Sequence, residues 1–256
     1  MLNIVIPMAG RGSRFALAGF TDPKPFIPVA GIPMIELVIN NLRPSCPHRF
    51  IFICQQTHLA RYGYRTRLEK LAPGCEVIGL PGYTEGAACS VLCAADLIET
   101  ASPLLIANAD QWVDTDINTF LDTLARRKLD GLMMTMRSDD PKWSYACLNP
   151  QGAVTAVVEK EVVSEEATVG IYAFSQGQHF CRHARHMIED NERSKGEFYV
   201  APVYTRLYRQ DRARIGVFRI GKDGEGMHGL GTPDDLAAFL AHPSLGRALA
   251  TGGIPA

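Results

Sequence analysis

Leu2-Asn3-Ile4-Val5-Ile6-Pro7-Met8 is a near-continuous apolar run that leads into Ala9-Gly10-Arg11-Gly12-Ser13-Arg14-Phe15 and, further on, Pro23-Lys24-Pro25. An unbroken apolar run of that length is the pattern of a strand buried on both faces of a parallel sheet. Glycines placed straight after such a strand let backbone N–H groups approach a phosphate without interference from a Cβ. A dinucleotide-binding turn would need a third glycine where this chain has Phe15. It would also need an acid after the second strand, where the residues are Cys54-Gln55-Gln56. A phosphate-binding Gly-Lys-Ser/Thr loop is absent as well. The loop instead carries Arg14, and then Lys24 between two prolines, whose fixed φ angles present it from a stiff segment.

Outward from this loop, strand-like and helix-like segments alternate. A helical pattern covers residues 34–42, a second strand 49–54, a helix with exposed basic residues 58–71, and a third strand 76–80. Thr84 is a suitable N-cap for a helix running to residue 98, and residues 103–107 form a fourth strand ending in Asn108-Ala109-Asp110. Asp116 caps a helix to about residue 128, Asp114 suits the same capping work, and residues 131–136 form a fifth strand. The second half is less regular. A hairpin spans 145–149 and 154–159, a strand 168–174, helices 177–191 and 200–210, and a strand 214–220. A glycine-rich loop, 221–231, then precedes a final helix from Pro233. This order predicts an α/β fold: a Rossmann-like, mostly parallel sheet flanked by helices, with a small mixed extension, all in one domain over residues 1–256.

With 26 basic against 27 acidic side chains in 256 residues, the chain has no global field for polyanions. Nucleic acid and anionic membrane surfaces are not expected partners. The seven cysteines are scattered, with no CxxC pair, and read as reduced thiols in a cytoplasmic protein. The opening apolar run lacks the basic flank of a signal peptide, and no later run approaches membrane-spanning length.

The motif Ala9-Gly10-Arg11-Gly12-Ser13-Arg14-Phe15, with Pro23-Lys24-Pro25, resembles the signature of the sugar-phosphate nucleotidyltransferases, the pyrophosphorylase-type enzymes. The resemblance implies a glycosyltransferase-A-like nucleotidyltransferase fold, a nucleotide-binding half over 1–136 and an acceptor-binding half over 137–256. It further implies a triphosphate wrapped by Met8, Ala9, Gly10, Gly12 and Ser13, with Arg14 and Lys24 neutralising charge as pyrophosphate leaves. Thr84-Glu85-Gly86-Ala87-Ala88 is similar to the family's base-contacting turn, so Gly86 and Ala87 are expected at the nucleotide. The family's usual uracil- or thymine-reading glutamine is replaced by Pro81, with Gln55 and Gln56 as substitutes, which tilts the nucleotide towards CTP. By the same resemblance Asp110 is a catalytic and nucleotide-contacting acid and the ligand of a Mg²⁺ cofactor. Glu159, Lys160 and Gly170 are implied contacts of a phosphorylated acceptor, a sugar 1-phosphate or another small phosphate compound; Gly196-Glu197-Phe198-Tyr199 is a looser match to a further acidic segment.

The last motif departs from the pattern. In Met227-His228-Gly229-Leu230-Gly231-Thr232-Pro233 the family's second metal-binding aspartate would stand at Gly229. Glu197 and Asp234 are nearby acids able to move in, and His228 is a poor Mg²⁺ ligand. Two rival readings stay open. One is a glycosyltransferase of similar fold using a nucleotide sugar, which would want a second acid in Asp110-Gln111-Trp112. The other is a non-catalytic nucleotide-binding regulator. Trp112, Trp143 and Tyr145 raise a choline-like acceptor, because aromatic faces attract quaternary ammonium groups. His179, His183 and His186 read as a solvated, partly basic helix face rather than a zinc site. Oligomeric state, including a homo-oligomer, is left open by the sequence.

Overall fold

The computed structural model describes residues 1–250; the last six residues of the expected acceptor half lie outside the described residues. An eleven-stranded sheet organises them. From one edge, its order is Glu76–Leu80, His48–Gln55, Leu2–Pro7, Leu104–Ala107, Glu166–Phe174, Gly131–Arg137, Ile215–Asp223, Gly226–Gly229 and Gln111–Val113. The first four strands are mutually parallel, and Glu166–Phe174 then runs antiparallel to both its neighbours. The expected hairpin, Ser144–Leu148 with Val154–Glu159, hangs from Glu166–Phe174 as the mixed extension.

The opening strand is central because its side chains serve both faces. Ile4 and Ile6 join Phe50, Phe52 and the helix Met34–Leu42 in one core, while Val5 joins Ile51, Ile53 and Leu104 in the other, against helices Gly177–Glu189 and Val203–Asp211. Alternate side chains of a strand point to opposite faces, so a strand apolar at both sets of positions belongs inside the sheet. Its two sheet neighbours, His48–Gln55 and Leu104–Ala107, lie on opposite sides, which opens a crevice at its carboxyl end.

Several expected elements differ. Gly63, at φ 62°, breaks the 58–71 helix into Gln56–Tyr62 and Tyr64–Leu71. Thr84 caps nothing: the helix begins at Ala87 after Gly86, and the Thr84 hydroxyl donates to the Gly86 carbonyl. The expected glycine loop at 221–231 contains the strand Gly226–Gly229, which pairs in parallel with the end of Ile215–Asp223, with Gly221 and Gly226 at φ 58° and 103° beside the turn between them. Asp116 caps Ile117–Arg126 as expected, but Asp114 pairs with Arg247 instead. All seven cysteines are free, and among the described residues no helix is long and apolar enough to cross a membrane.

Candidate active site

The basic loop is rigid for reasons visible in its residues. Gly12 has φ 60° and starts the short helix Ser13–Leu17; a Cβ there would lie 3.3 Å from the Lys24 Cβ. Phe15, where a dinucleotide loop would need glycine, is 1% exposed and anchors the loop in a third apolar cluster with Met34, Leu37, Trp112 and Phe239. Lys24 opens a single 3₁₀ turn whose Phe26 is buried and stacked on Tyr64 at 3.9 Å. Gln55 ties the loop from behind, its Nε2 donating to the carbonyls of Ala9 at 2.7 Å and Gly82 at 3.3 Å. Gln56 is exposed and lies over Gly79, where a Cβ would meet its Oε1. The Gln55 amide nitrogen is therefore spent on the loop, which corrects the expectation that Gln55 reads a base; Gln56 lines neither of the two cavities beside the loop.

The loop and the end of Leu104–Ala107 enclose a cavity of about 420 Å³ lined by Met8, Gly10, Gly12, Ser13, Arg14, Lys24, Asp110 and Gly231, among others. Inside it the Lys24 ammonium is ion-paired with the Asp110 carboxylate, and both retain some solvent access. A second cavity of about 530 Å³ shares Pro7, Gly10, Arg11 and Asn108 with the first and adds Ala9, Gly86, Ala87, Tyr83 and Glu197. The two cavities therefore form one continuous crevice that brings together every expected nucleotide-contacting residue.

Gly86 is required by packing. It has φ 141°, and a Cβ would come within 2.4 Å of the Phe198 carbonyl oxygen. The Phe198 N–H donates to Glu85 at 2.9 Å and its carbonyl accepts from Ala88 at 3.0 Å. Arg193 clamps the same turn from outside, ion-paired to Glu85 and lying over the Phe198 ring. The segment 196–199 is thereby laid along the second cavity, with Glu197 on its wall.

Of the expected acceptor residues, Glu159, Lys160 and Gly170 line neither cavity. Glu159 is half-buried and accepts from the Ser144 hydroxyl; burial raises its pKa, against the hydrogen bond from Ser144 and the charge of Lys160. Lys160 donates to the Tyr199 hydroxyl at 2.8 Å, and that contact raises its pKa. Gly170 interrupts the strand register at φ 75°, and a Cβ there would meet Asn108 Nδ2 at 2.0 Å. Its effect on the crevice is thus indirect: it makes room for Asn108, which lines both cavities.

The aromatic residues raised for a choline-like acceptor do not form a cage. Trp112 is buried against His228 and Phe239, Trp143 already lies under Lys142 at 4.9 Å, and the buried Tyr145 donates to the Asp140 carbonyl at 2.7 Å. His183, expected on a solvated face, is buried and 2.9 Å from Asp211. Burial lowers its pKa, and no group of three or more metal-ligating side chains occurs among the described residues.

For a Mg²⁺ ion the donor chemistry at Asp110 fits. A carboxylate is the hard oxygen ligand the ion prefers, and the Lys24 ammonium already holds a cation against it. Asp234 is exposed and Glu197 lies in the second cavity, so neither stands at Gly229. Arg11, Tyr83, Asn108 and Gly231 were not assigned roles from sequence. Arg11 was legible only as part of the quoted loop; it lies over the Tyr83 ring at 4.8 Å, across the second cavity.

Residues 4–217 match the family described as Nucleotidyl transferase. The chain belongs to that family. Among curated relatives it is 25% identical over 213 residues to the bifunctional protein GlmU of Cupriavidus metallidurans, covering 80% of this chain and 44% of that protein. It is 30% identical over 201 residues to the mannose-1-phosphate guanylyltransferase regulatory subunit alpha of Sus scrofa, covering 68% and 44%. The chain thus spans less than half the length of these relatives. Among solved structures, a nucleoside-diphosphate-sugar pyrophosphorylase of Vibrio cholerae RC9 superposes with a TM-score of 0.78 at 25% identity, over 93% of this chain and 99% of that one. The fold is also that of a UDP-glucose pyrophosphorylase from Acinetobacter baumanii, at TM-score 0.69 and 19% identity over 98% and 97%. The sugar-phosphate nucleotidyltransferase architecture expected from the loop motif is therefore the architecture of this chain.

Proposed function

We propose that the chain transfers a nucleoside monophosphate from a nucleoside triphosphate to a phosphomonoester, releasing pyrophosphate. The observation that carries this is the Lys24–Asp110 pair set inside a cavity walled by the glycine loop. A basic group, a lone strand-end acid and a phosphate-sized cradle share one crevice.

An acceptor phosphate oxygen attacks the α-phosphorus in line, and the bond to the β-phosphate oxygen breaks with its electron pair leaving on pyrophosphate. With a second pKa of about 6, a phosphomonoester is already largely dianionic at neutral pH, so no general base is needed. Loop N–H groups around Gly10, Gly12 and Ser13 hold the triphosphate, and Arg14 and Lys24 meet the charge that grows on the leaving group. Asp110 would hold Mg²⁺, which when bound supplies further charge neutralisation at the phosphates. The acceptor enters beside Glu197 and the Tyr199–Lys160 contact, with Glu159 and Gly170 supporting from behind; a sugar 1-phosphate is the acceptor we assign.

For the base we favour cytosine. Gln55 is bound to backbone and Pro81 offers no amide, so neither position presents the acceptor-plus-donor edge suited to uracil. Hydroxyls of Thr84 and Ser90, 2.6 Å apart on the second cavity, suit an exocyclic amine. We assign the activity to the cytoplasm, a reading that the seven unpaired thiols support. The regulatory reading draws on Gly229 and on the relative named a regulatory subunit. Four triphosphates crossed with phosphorylated acceptors, read as Mg²⁺-dependent pyrophosphate, test the proposal. Nucleotide binding with no pyrophosphate from any pair would favour a regulator, and turnover of a nucleotide sugar a glycosyltransferase.

A further inference from the structure

Gly229 leaves the crevice without the second carboxylate that the family resemblance implies, yet another carboxylate lies next to it. A Cβ built on Gly229 would lie 3.9 Å from Asp235 Cγ and 4.0 Å from its Oδ2. A Cβ built two residues on, at Gly231, would lie 3.3 Å from Asp110 Oδ2, 3.7 Å from Asp235 Oδ2 and 3.8 Å from Lys24 Nζ. Two carboxylates and one ammonium, drawn from three distant parts of the chain, converge on bare backbone.

The local geometry of Asp235 has a second peculiarity. It is the third residue of the helix Pro233–Leu240, whose cap is Thr232; the Thr232 hydroxyl accepts from the Asp235 N–H at 3.0 Å. In a reciprocal capping box the acid at this position folds back onto the cap N–H. Here the half-buried Asp235 carboxylate has no hydrogen-bond or ion-pair partner among the described residues. Its Oδ2 lies instead beside Gly231, around the same point as Asp110 Oδ2 and Lys24 Nζ.

We infer that Asp235 has taken over from position 229 as the second carboxylate of the Mg²⁺ site, six residues further along the chain in the first turn of the helix Pro233–Leu240. Mg²⁺ bound to protein by one or two carboxylates, with phosphate oxygens and water completing its octahedron, needs no more than this pair supplies. In the free protein Lys24 is ion-paired with Asp110, and it turns to the triphosphate when that binds. Glycine at 231 is required because a side chain there would stand between the two carboxylates. The assignment rests on the nucleotidyl-transfer reading for what the metal does, and on the geometry alone for where it is held.

The experiment is Mn²⁺ binding, followed by electron paramagnetic resonance with Mn²⁺ alone and with Mn²⁺ plus CTP, UTP, GTP or dTTP. Loss of a ligand should weaken Mn²⁺ binding in Asp235→Asn by at least about tenfold, at unchanged thermal stability because the N–H bond to Thr232 is kept. Adding Gly229→Asp to Asp235→Asn should restore binding, since Gly229 has no positive φ and room for a Cβ. Undiminished Mn²⁺ binding by Asp235→Asn overturns the assignment, as does absence of Mn²⁺ binding by the unaltered protein. Mn²⁺ results as expected, with no pyrophosphate from any substrate pair, would sink the proposed reaction while leaving this site in place.

Discussion

Replacing Lys24 with alanine separates what the basic loop does for folding from what it does for turnover. Both members of the Lys24–Asp110 pair retain solvent access, at 19% and 29% of their side-chain surface. A pair that wet contributes about 0–1 kcal/mol to stability. Loss of the ammonium also leaves Asp110 and Asp235 facing one another across Gly231, which adds a small cost of the same sign. The shift in melting temperature should stay within about 2–4 °C. The kinetic effect is larger because Lys24 is held in place before any charge develops, by Pro25, by the buried Phe26 and by the close approach of Gly12. A preorganised donor aimed at developing charge contributes about 2–4 kcal/mol to the transition state, which is a roughly 30- to 1000-fold loss of kcat. Pyrophosphate release at saturating triphosphate and acceptor measures kcat, and urea denaturation of the same preparation measures stability. Lys24→Ala turning over within about threefold of the unaltered protein, at matched stability, would refute the placement of this ammonium at the leaving group.

Gly86→Ala must fit a Cβ within 2.4 Å of the Phe198 carbonyl at a φ of 141°. Overpacking of about 1–3 kcal/mol and backbone strain of about 1–3 kcal/mol should both appear in its urea midpoint, and an unchanged midpoint would contradict the packing described. Gln55→Leu unties Ala9 and Gly82, removing hydrogen bonds worth about 0.5–1.5 kcal/mol each; KM for the triphosphate should rise more than kcat falls. Burial, and then the neighbouring His242, lowers the pKa of His228. A base with a depressed folded pKa stabilises the fold above its unfolded pKa of about 6.5 and loses that contribution as pH falls. His228→Leu should therefore narrow the gap between urea midpoints at about pH 7.5 and about pH 5, which a merely structural histidine would not do. Burial pushes the thiols of Cys54 and Cys181 up to about 12, so alkylation followed by mass spectrometry should mark the exposed Cys46 and spare both until the chain is unfolded.

What the sequence by itself determined is what local chemistry encodes. The near-continuous apolar run of residues 2–8 has the pattern of a strand covered on both faces, and Gly10 and Gly12 directly after it left a loop of accessible N–H groups beside Arg14. The Lys24–Asp110 pairing was implied by the motif's resemblance to the nucleotidyltransferases, and it agrees with parallel strands bringing their carboxyl ends to one edge. Closeness between remote segments was another matter. Nothing local shows that Gly86 is glycine to admit the backbone of Phe198, that Gly170 is glycine to admit Asn108, or that Gln55 is spent on loop carbonyls. Asp235 is the sharpest instance: within Thr232-Pro233-Asp234-Asp235 it is indistinguishable from any acid favoured by a helix N-terminus. Only the packing of Pro233–Leu240 against the strand Gly226–Gly229 brings its carboxylate beside Gly231. Side-chain direction at such a site is set by contacts formed after the chain has folded, and those contacts leave no periodic trace in the order of residues.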